Sequence, residues 1–129
     1  MNTWTGAAAS AVLLLAGGAL ADHAVIDPKA AFPEGPWVEG GKLYYAQYGG
    51  NTVSVWDGSA VSTLWLQEGC GPSAVAPLGT DRLAVTCYDN GTLAVFNRDG
   101  SGTTAIAADS TGVGLVGPND LAPDGKGTR

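Results

Sequence analysis

Arg82-Leu83-Ala84-Val85-Thr86-Cys87-Tyr88, then Asp89-Asn90-Gly91, then Thr92-Leu93-Ala94-Val95-Phe96-Asn97 is the stretch that decides the fold. Two runs of β-branched, aromatic and alternating character flank a short polar turn, which is the pattern of a β-hairpin. Asn90-Gly91 predicts a type I′ turn, in which both central residues take positive φ. Upstream, Ser73-Ala74-Val75-Ala76-Pro77 reads as a further strand, joined through the turn Leu78-Gly79-Thr80-Asp81. Downstream, Thr103-Thr104-Ala105-Ile106 follows the turn Asp99-Gly100. The same order stands earlier in the chain as Leu43–Tyr48, Gly49-Gly50-Asn51, Thr52–Trp56, Asp57-Gly58 and Ser62–Leu66.

Gly-Pro pairs punctuate this order at 35, 71 and 117, intervals of 36 and 46 residues. Each interval holds about four short strands, and four-stranded repeats of that size predict propeller blades. The expected organisation is all-β, with blade one at about 34–68, blade two at about 70–108 and the start of blade three at about 117–129. Ser110–Leu115 is expected to connect blades, and Leu121–Gly127 to open the third. A blade buries its faces against its neighbours, so a ring needs at least about four of them. The expectation is therefore the N-terminal part of a longer ring.

Composition agrees with a loop-rich β domain: 129 residues, 45% hydrophobic, 14% charged, with 20 Gly and 7 Pro. The net charge of −6, with 6 Lys and Arg in all, argues against a nucleic-acid partner, which needs clustered cations. An anionic membrane surface is disfavoured on the same ground.

Met1–Ala21 carries no charged side chain and contains Ala11-Val12-Leu13-Leu14-Leu15-Ala16 followed by Ala19-Leu20-Ala21. The apolar run is shorter than the roughly 20 residues of a membrane-spanning helix. Residues 1–21 are read as a secretory signal with an A-x-A cleavage site, although the segment before the apolar run lacks Lys or Arg. The expected location is periplasmic or extracellular, with no stable membrane span after cleavage. Cys70 and Cys87 then lie almost symmetrically about the Leu78–Asp81 turn, and antiparallel register would bring them nearly opposite each other. Two readings stand: a disulfide, which an oxidising compartment permits, or two buried thiols acting as small hydrophobes.

Two segments carry oxygen donors beside a Gly-Pro turn: Pro33-Glu34-Gly35-Pro36-Trp37 and Gly117-Pro118-Asn119-Asp120-Leu121. These resemble a known family, that of gluconolactonases, senescence marker protein and luciferin-regenerating enzymes. Its opening Glu-Gly-Pro motif is similar to Glu34-Gly35-Pro36-Trp37-Val38 with Gly41-Lys42-Leu43-Tyr44, and its later motif to Pro118-Asn119-Asp120-Leu121 with Asp124-Gly125. The likeness covers roughly residues 32–127. It implies a six-bladed β-propeller and one divalent cation, Ca²⁺ or Zn²⁺, in its central channel. Glu34 would be a carboxylate ligand, and Asn119 an amide oxygen that ligates the metal or orients substrate.

The implied activity is hydrolysis of a lactone or sugar-acid substrate. The family's later ligands, an Asn and an Asp general base, have no counterparts before Arg129, so no catalytic residue is assigned and the chain alone is expected to be inactive. Without the likeness, Glu34 is a solvated turn carboxylate and Asn119 a turn residue. The alternative function is an exported, non-catalytic propeller that binds a ligand or partner. His23 is the single histidine, which disfavours a His-based triad or zinc site. Ser73 has no base partner in the sequence pattern. Trp37, Trp56, Trp65, Tyr44, Tyr45 and Tyr48 are expected to pack between blades.

Overall fold

The computed structural model describes residues 23–125, so the expected signal at 1–21 and the end of the expected third-blade strand lie outside the described residues. Among the described residues eight strands form: β1 (Pro33–Glu39), β2 (Lys42–Gln47), β3 (Thr52–Trp56), β4 (Val61–Leu66), β5 (Pro72–Leu78), β6 (Arg82–Cys87), β7 (Thr92–Asn97) and β8 (Thr104–Ile106). They make two antiparallel four-stranded sheets, ordered β1-β2-β3-β4 and β5-β6-β7-β8. The described residues are thus all-β, and within each sheet the strands pair in sequence order. Among the described residues no helix is long and apolar enough to cross a membrane.

Short polar turns set these registers. In the β3–β4 turn the Asp57 carboxylate accepts hydrogen bonds from the backbone N–H of Ala60 and Ser59, both at 2.9 Å. These bonds, that of Ala60 foremost, draw the Asp57 carboxyl down to about 2. Asp99 accepts likewise from Ser101 N–H at 2.9 Å, and Asp109 from Thr111 N–H at 2.8 Å, the Asx-turn chemistry that favours Asp at such corners.

The β6–β7 turn differs from the type I′ expectation. Cys87 pairs with Thr92, leaving four residues in the loop, and Gly91 N–H donates to the Cys87 carbonyl at 3.0 Å. Gly91 has φ +66, while Asn90 is not among the non-glycine residues of positive φ. The wider loop needs the left-handed region at one position, not two. Residues 117–125 also differ from expectation, since they form no strand. Residues 108–114 close a small turn of their own through an Ala108–Gly114 bridge.

The core lies between the sheets: Tyr44, Val53 and Trp65 from the first meet Val75, Leu83, Val85, Ala94 and Phe96 from the second. Trp65 stacks on Phe96 with centroids 5.0 Å apart, and its Nε1–H donates to Thr103 Oγ1 at 2.9 Å. The ring thereby buries its apolar area while its one donor stays satisfied. Strand β5, buried from Pro72 to Ala76, approaches β1 so closely that a Cβ on Gly35 would fall 2.3 Å from Ala74 Cα. Gly35 also has φ +38, so glycine is required there on both steric and conformational grounds.

At one end of the sheets, Arg98 of the β7–β8 turn pairs with Glu39, the last residue of β1, and reaches the β5–β6 turn, donating from its side chain to the Thr80 carbonyl at 2.6 Å and from its backbone N–H to the Asp81 carbonyl at 3.1 Å. Near the other end, Cys70 and Cys87 are disulfide-bonded, with Cα atoms 4.5 Å apart. Register alone does not oppose them, because Pro72 is the residue paired with Cys87. A bulge between Pro72 and Ala74 and the φ of +55 at Gly71 turn Cys70 back toward its partner.

Candidate functional site

The start of β1, the end of β2, the start of β5 and the end of β6 meet at the disulfide end of the sheets. Antiparallel order dictates this convergence, because strand starts and neighbouring strand ends share an edge. There they line a cleft of about 240 Å³ with Phe32, Glu34, Tyr48, Ser73, Tyr88 and Asn119. The structure therefore brings Glu34 and Asn119, on segments far apart in sequence, to one cavity. Both side chains are exposed.

Each wall has an identifiable support. Asn119 is held through its backbone: its carbonyl accepts from the buried Thr86 hydroxyl at 3.2 Å. Ser73 is buried, with its hydroxyl 3.2 Å from the Gly71 carbonyl. Tyr48 donates to Asp89 Oδ1 at 2.7 Å, and that bond, with the Asp89 charge, raises the phenol above its ordinary range. Tyr48 and Tyr88 meet edge to face at 6.4 Å.

Glycines make room for these rings. A Cβ on Gly71 would fall 2.5 Å from Asp89 Oδ2 and 2.9 Å from the Tyr48 ring, and one on Gly117 3.2 Å from the Tyr88 ring. The Gly-Pro landmarks read from the sequence thus mark places where the backbone passes close to another strand or to a cleft wall.

Glu34 also borders a second, mostly apolar cavity of about 310 Å³, lined in addition by Val25, Ile26, Ala30, Pro36, Leu43 and Tyr45. Tyr45 donates to Asp27 Oδ2 at 2.6 Å. Burial, reinforced by that bond, pushes its phenol up to about 12.

Two cleft residues, Phe32 and Tyr88, escaped the sequence reading. Tyr48, expected to pack between blades, does bridge the two sheets through Tyr88 and Asp89 and also lines the cleft, while Phe32 and Tyr88 were not singled out. A usable signal existed: each is an aromatic at the end of a strand next to a Gly-Pro landmark, or brought there by pairing. Among the described residues no group of three or more His, Cys, Asp or Glu is placed to hold a metal. Neither a family model nor a curated protein matches the chain.

Proposed function

We propose that the cleft belongs to a divalent-cation-dependent lactone hydrolase of the gluconolactonase type, carried on a β-propeller in which the two sheets are successive blades. The observation that supports this reading is the convergence of Glu34 and Asn119 on one cavity. Sequential four-stranded meanders packed face to face are also what consecutive blades require.

The donor set fits a hard cation in kind. A carboxylate and an amide oxygen suit Ca²⁺, which takes six to eight oxygen ligands, whereas zinc sites draw on His and Cys. The cleft has neither, and both cysteines are consumed in the disulfide. Glu34 and Asn119 would hold the ion, with further oxygens from water or from outside the described residues. Bound there, such an ion would supply Lewis-acid polarisation of a lactone carbonyl and activation of water. The chain's own residues position: Thr86 fixes the Asn119 backbone, Tyr48 and Tyr88 wall the cavity, and Ser73 presents a hydroxyl already turned to the backbone. The Cys70–Cys87 bond supports an exported protein, since disulfides persist in oxidising compartments.

Calcium titration by calorimetry tests this reading, comparing the unaltered chain with Glu34→Gln. Loss of at least about tenfold in affinity is expected, as charged ligands dominate hard-cation binding. Retained affinity in Glu34→Gln, together with unaltered opening of glucono-δ-lactone in any active form, would refute it. A second reading is favoured by the absence of a three-ligand group among the described residues: an exported binding module in which the cleft takes a ligand without a metal.

A further inference from the structure

We infer that the Glu34 cleft recognises an organic ammonium group through the faces of Phe32, Tyr48 and Tyr88. The inference rests on the assignment of this cleft as the ligand site, and not on the metal. Three of the six lining residues are aromatic, and all three rings remain open to water, with Phe32 75%, Tyr88 46% and Tyr48 37% exposed. Large apolar rings are otherwise the groups that folding removes from water first.

Their placement is enforced by the backbone. Phe32 has φ +51, a left-handed conformation that costs a bulky residue free energy and persists only where its surroundings over-determine it. The surroundings here do so. Tyr48 N–H donates to the Phe32 carbonyl and Gly49 N–H to that of Ala31, both at 3.1 Å. Ala31 N–H donates to Gln47 Oε1 at 2.8 Å, and Gln47 Nε2–H donates in turn to buried Ser54 at 2.7 Å. A Cβ on Gly49 would fall 2.9 Å from the Phe32 ring, so the glycine leaves the ring its position. Tyr48 is fixed by Asp89, and Tyr88 leans on Gly117. The Phe32 backbone and the Tyr48 hydroxyl are thus held in place before any ligand arrives.

The charge around them has one sign. Glu34 lines the cleft, Asp89 stands behind Tyr48, and no Lys or Arg is among the lining residues. A carboxylate or phosphate ligand would meet repulsion there. When the cleft is metal-free, a cation with an apolar skin gains both from Glu34 and from the negative faces of the rings. A strongly hydrated metal ion uses the oxygens and gains little from the rings. The cavity of about 240 Å³ has room for a trimethylammonium head with a short tail.

The test uses choline against its neutral isostere 3,3-dimethyl-1-butanol, titrated into the full chain and followed by NMR shifts. Choline is expected to bind at least about tenfold more tightly than the isostere. Phe32→Ala and Tyr88→Ala should each weaken choline by about three- to thirty-fold, with the circular dichroism spectrum unaltered. Equal binding of the two probes, no binding of choline, or full choline affinity in both variants would overturn the inference. A calcium titration of Tyr88→Ala separates this outcome from the metal reading: calcium affinity governed by Glu34 alone would leave the metal site standing whether or not choline binds.

Discussion

Replacing Gly35 by Ala should be among the most damaging single-methyl changes in this chain, and Gly40→Ala supplies its control. Both glycines have positive φ, +38 and +57, so each alanine incurs the left-handed penalty of about 1–2 kcal/mol. They differ in surroundings. The new methyl at Gly40 meets nothing within 4 Å, whereas at Gly35 it falls 2.3 Å from Ala74 Cα, 2.5 Å from the Ser73 carbonyl oxygen and 2.6 Å from Ala74 Cβ. None of these atoms lies at the end of a flexible side chain, so relief requires β1 and β5 to separate. Overpacking of that kind costs a further 1–3 kcal/mol or so.

The difference between the two variants isolates the contact, because the conformational penalty is common to both. Urea unfolding followed by tryptophan fluorescence measures it. With an m-value of about 1.5 kcal/mol/M for a domain of this size, the Gly35→Ala midpoint should lie about 0.7–2 M below that of Gly40→Ala. Midpoints within about 0.2 M of each other would refute the close approach of β1 to β5, and with it the wall that places Glu34 beside Ser73.

Two further outcomes follow from the same structure. Reducing the Cys70–Cys87 bond, or replacing both residues with Ser, opens a loop of sequence separation 17 and should remove about 3 kcal/mol. That loss should lower the melting temperature by roughly 10–20 °C, and a melting curve indifferent to reductant would contradict the bond's stabilising role. The phenol of Tyr45, raised by burial and by Asp27 to about 12, is held protonated in the folded chain beyond its ordinary pKa of about 10. Its contribution is fully present below pH 10 or so and is lost as pH rises toward about 12, at most about 2–3 kcal/mol. An alkaline absorbance titration should show Tyr48 and Tyr45 both titrating late, with the Tyr45 component missing in Tyr45→Phe, whose stability should fall less steeply over that interval.

The strands were legible because their signals are local. Thr52–Trp56 and Thr92–Asn97 stand where alternation and flanking turns put them, since period-two burial constrains each residue separately. The Asn90-Gly91 turn was misread for a reason of the opposite kind: its type depends on which residues pair across the hairpin, and Cys87 with Thr92 leaves a loop too long for type I′. Leu121–Asp124 shares the apolar and turn composition of the other strand starts but forms no strand, because a strand needs a partner edge as well as a pattern. The cleft was half legible. Glu34 and Asn119 could be named from their motifs, while Phe32 and Tyr88 join them only through the antiparallel ends of β1, β2, β5 and β6, a relation that exists in three dimensions.

The sequential order of both sheets has a kinetic and an evolutionary side. No strand of one sheet is inserted into the other, so each can zip up from its own hairpins, which close in about 1–10 μs, before the two faces dock. Contacts of short sequence separation speed such a search. The same independence means that a sheet can be duplicated, deleted or exchanged at the Glu68–Gly69 junction without rethreading the hydrogen bonds of its neighbour. The architecture is in this sense a string of interchangeable cards, whose number can change by recombination while the chemistry at each card's edge is refined separately.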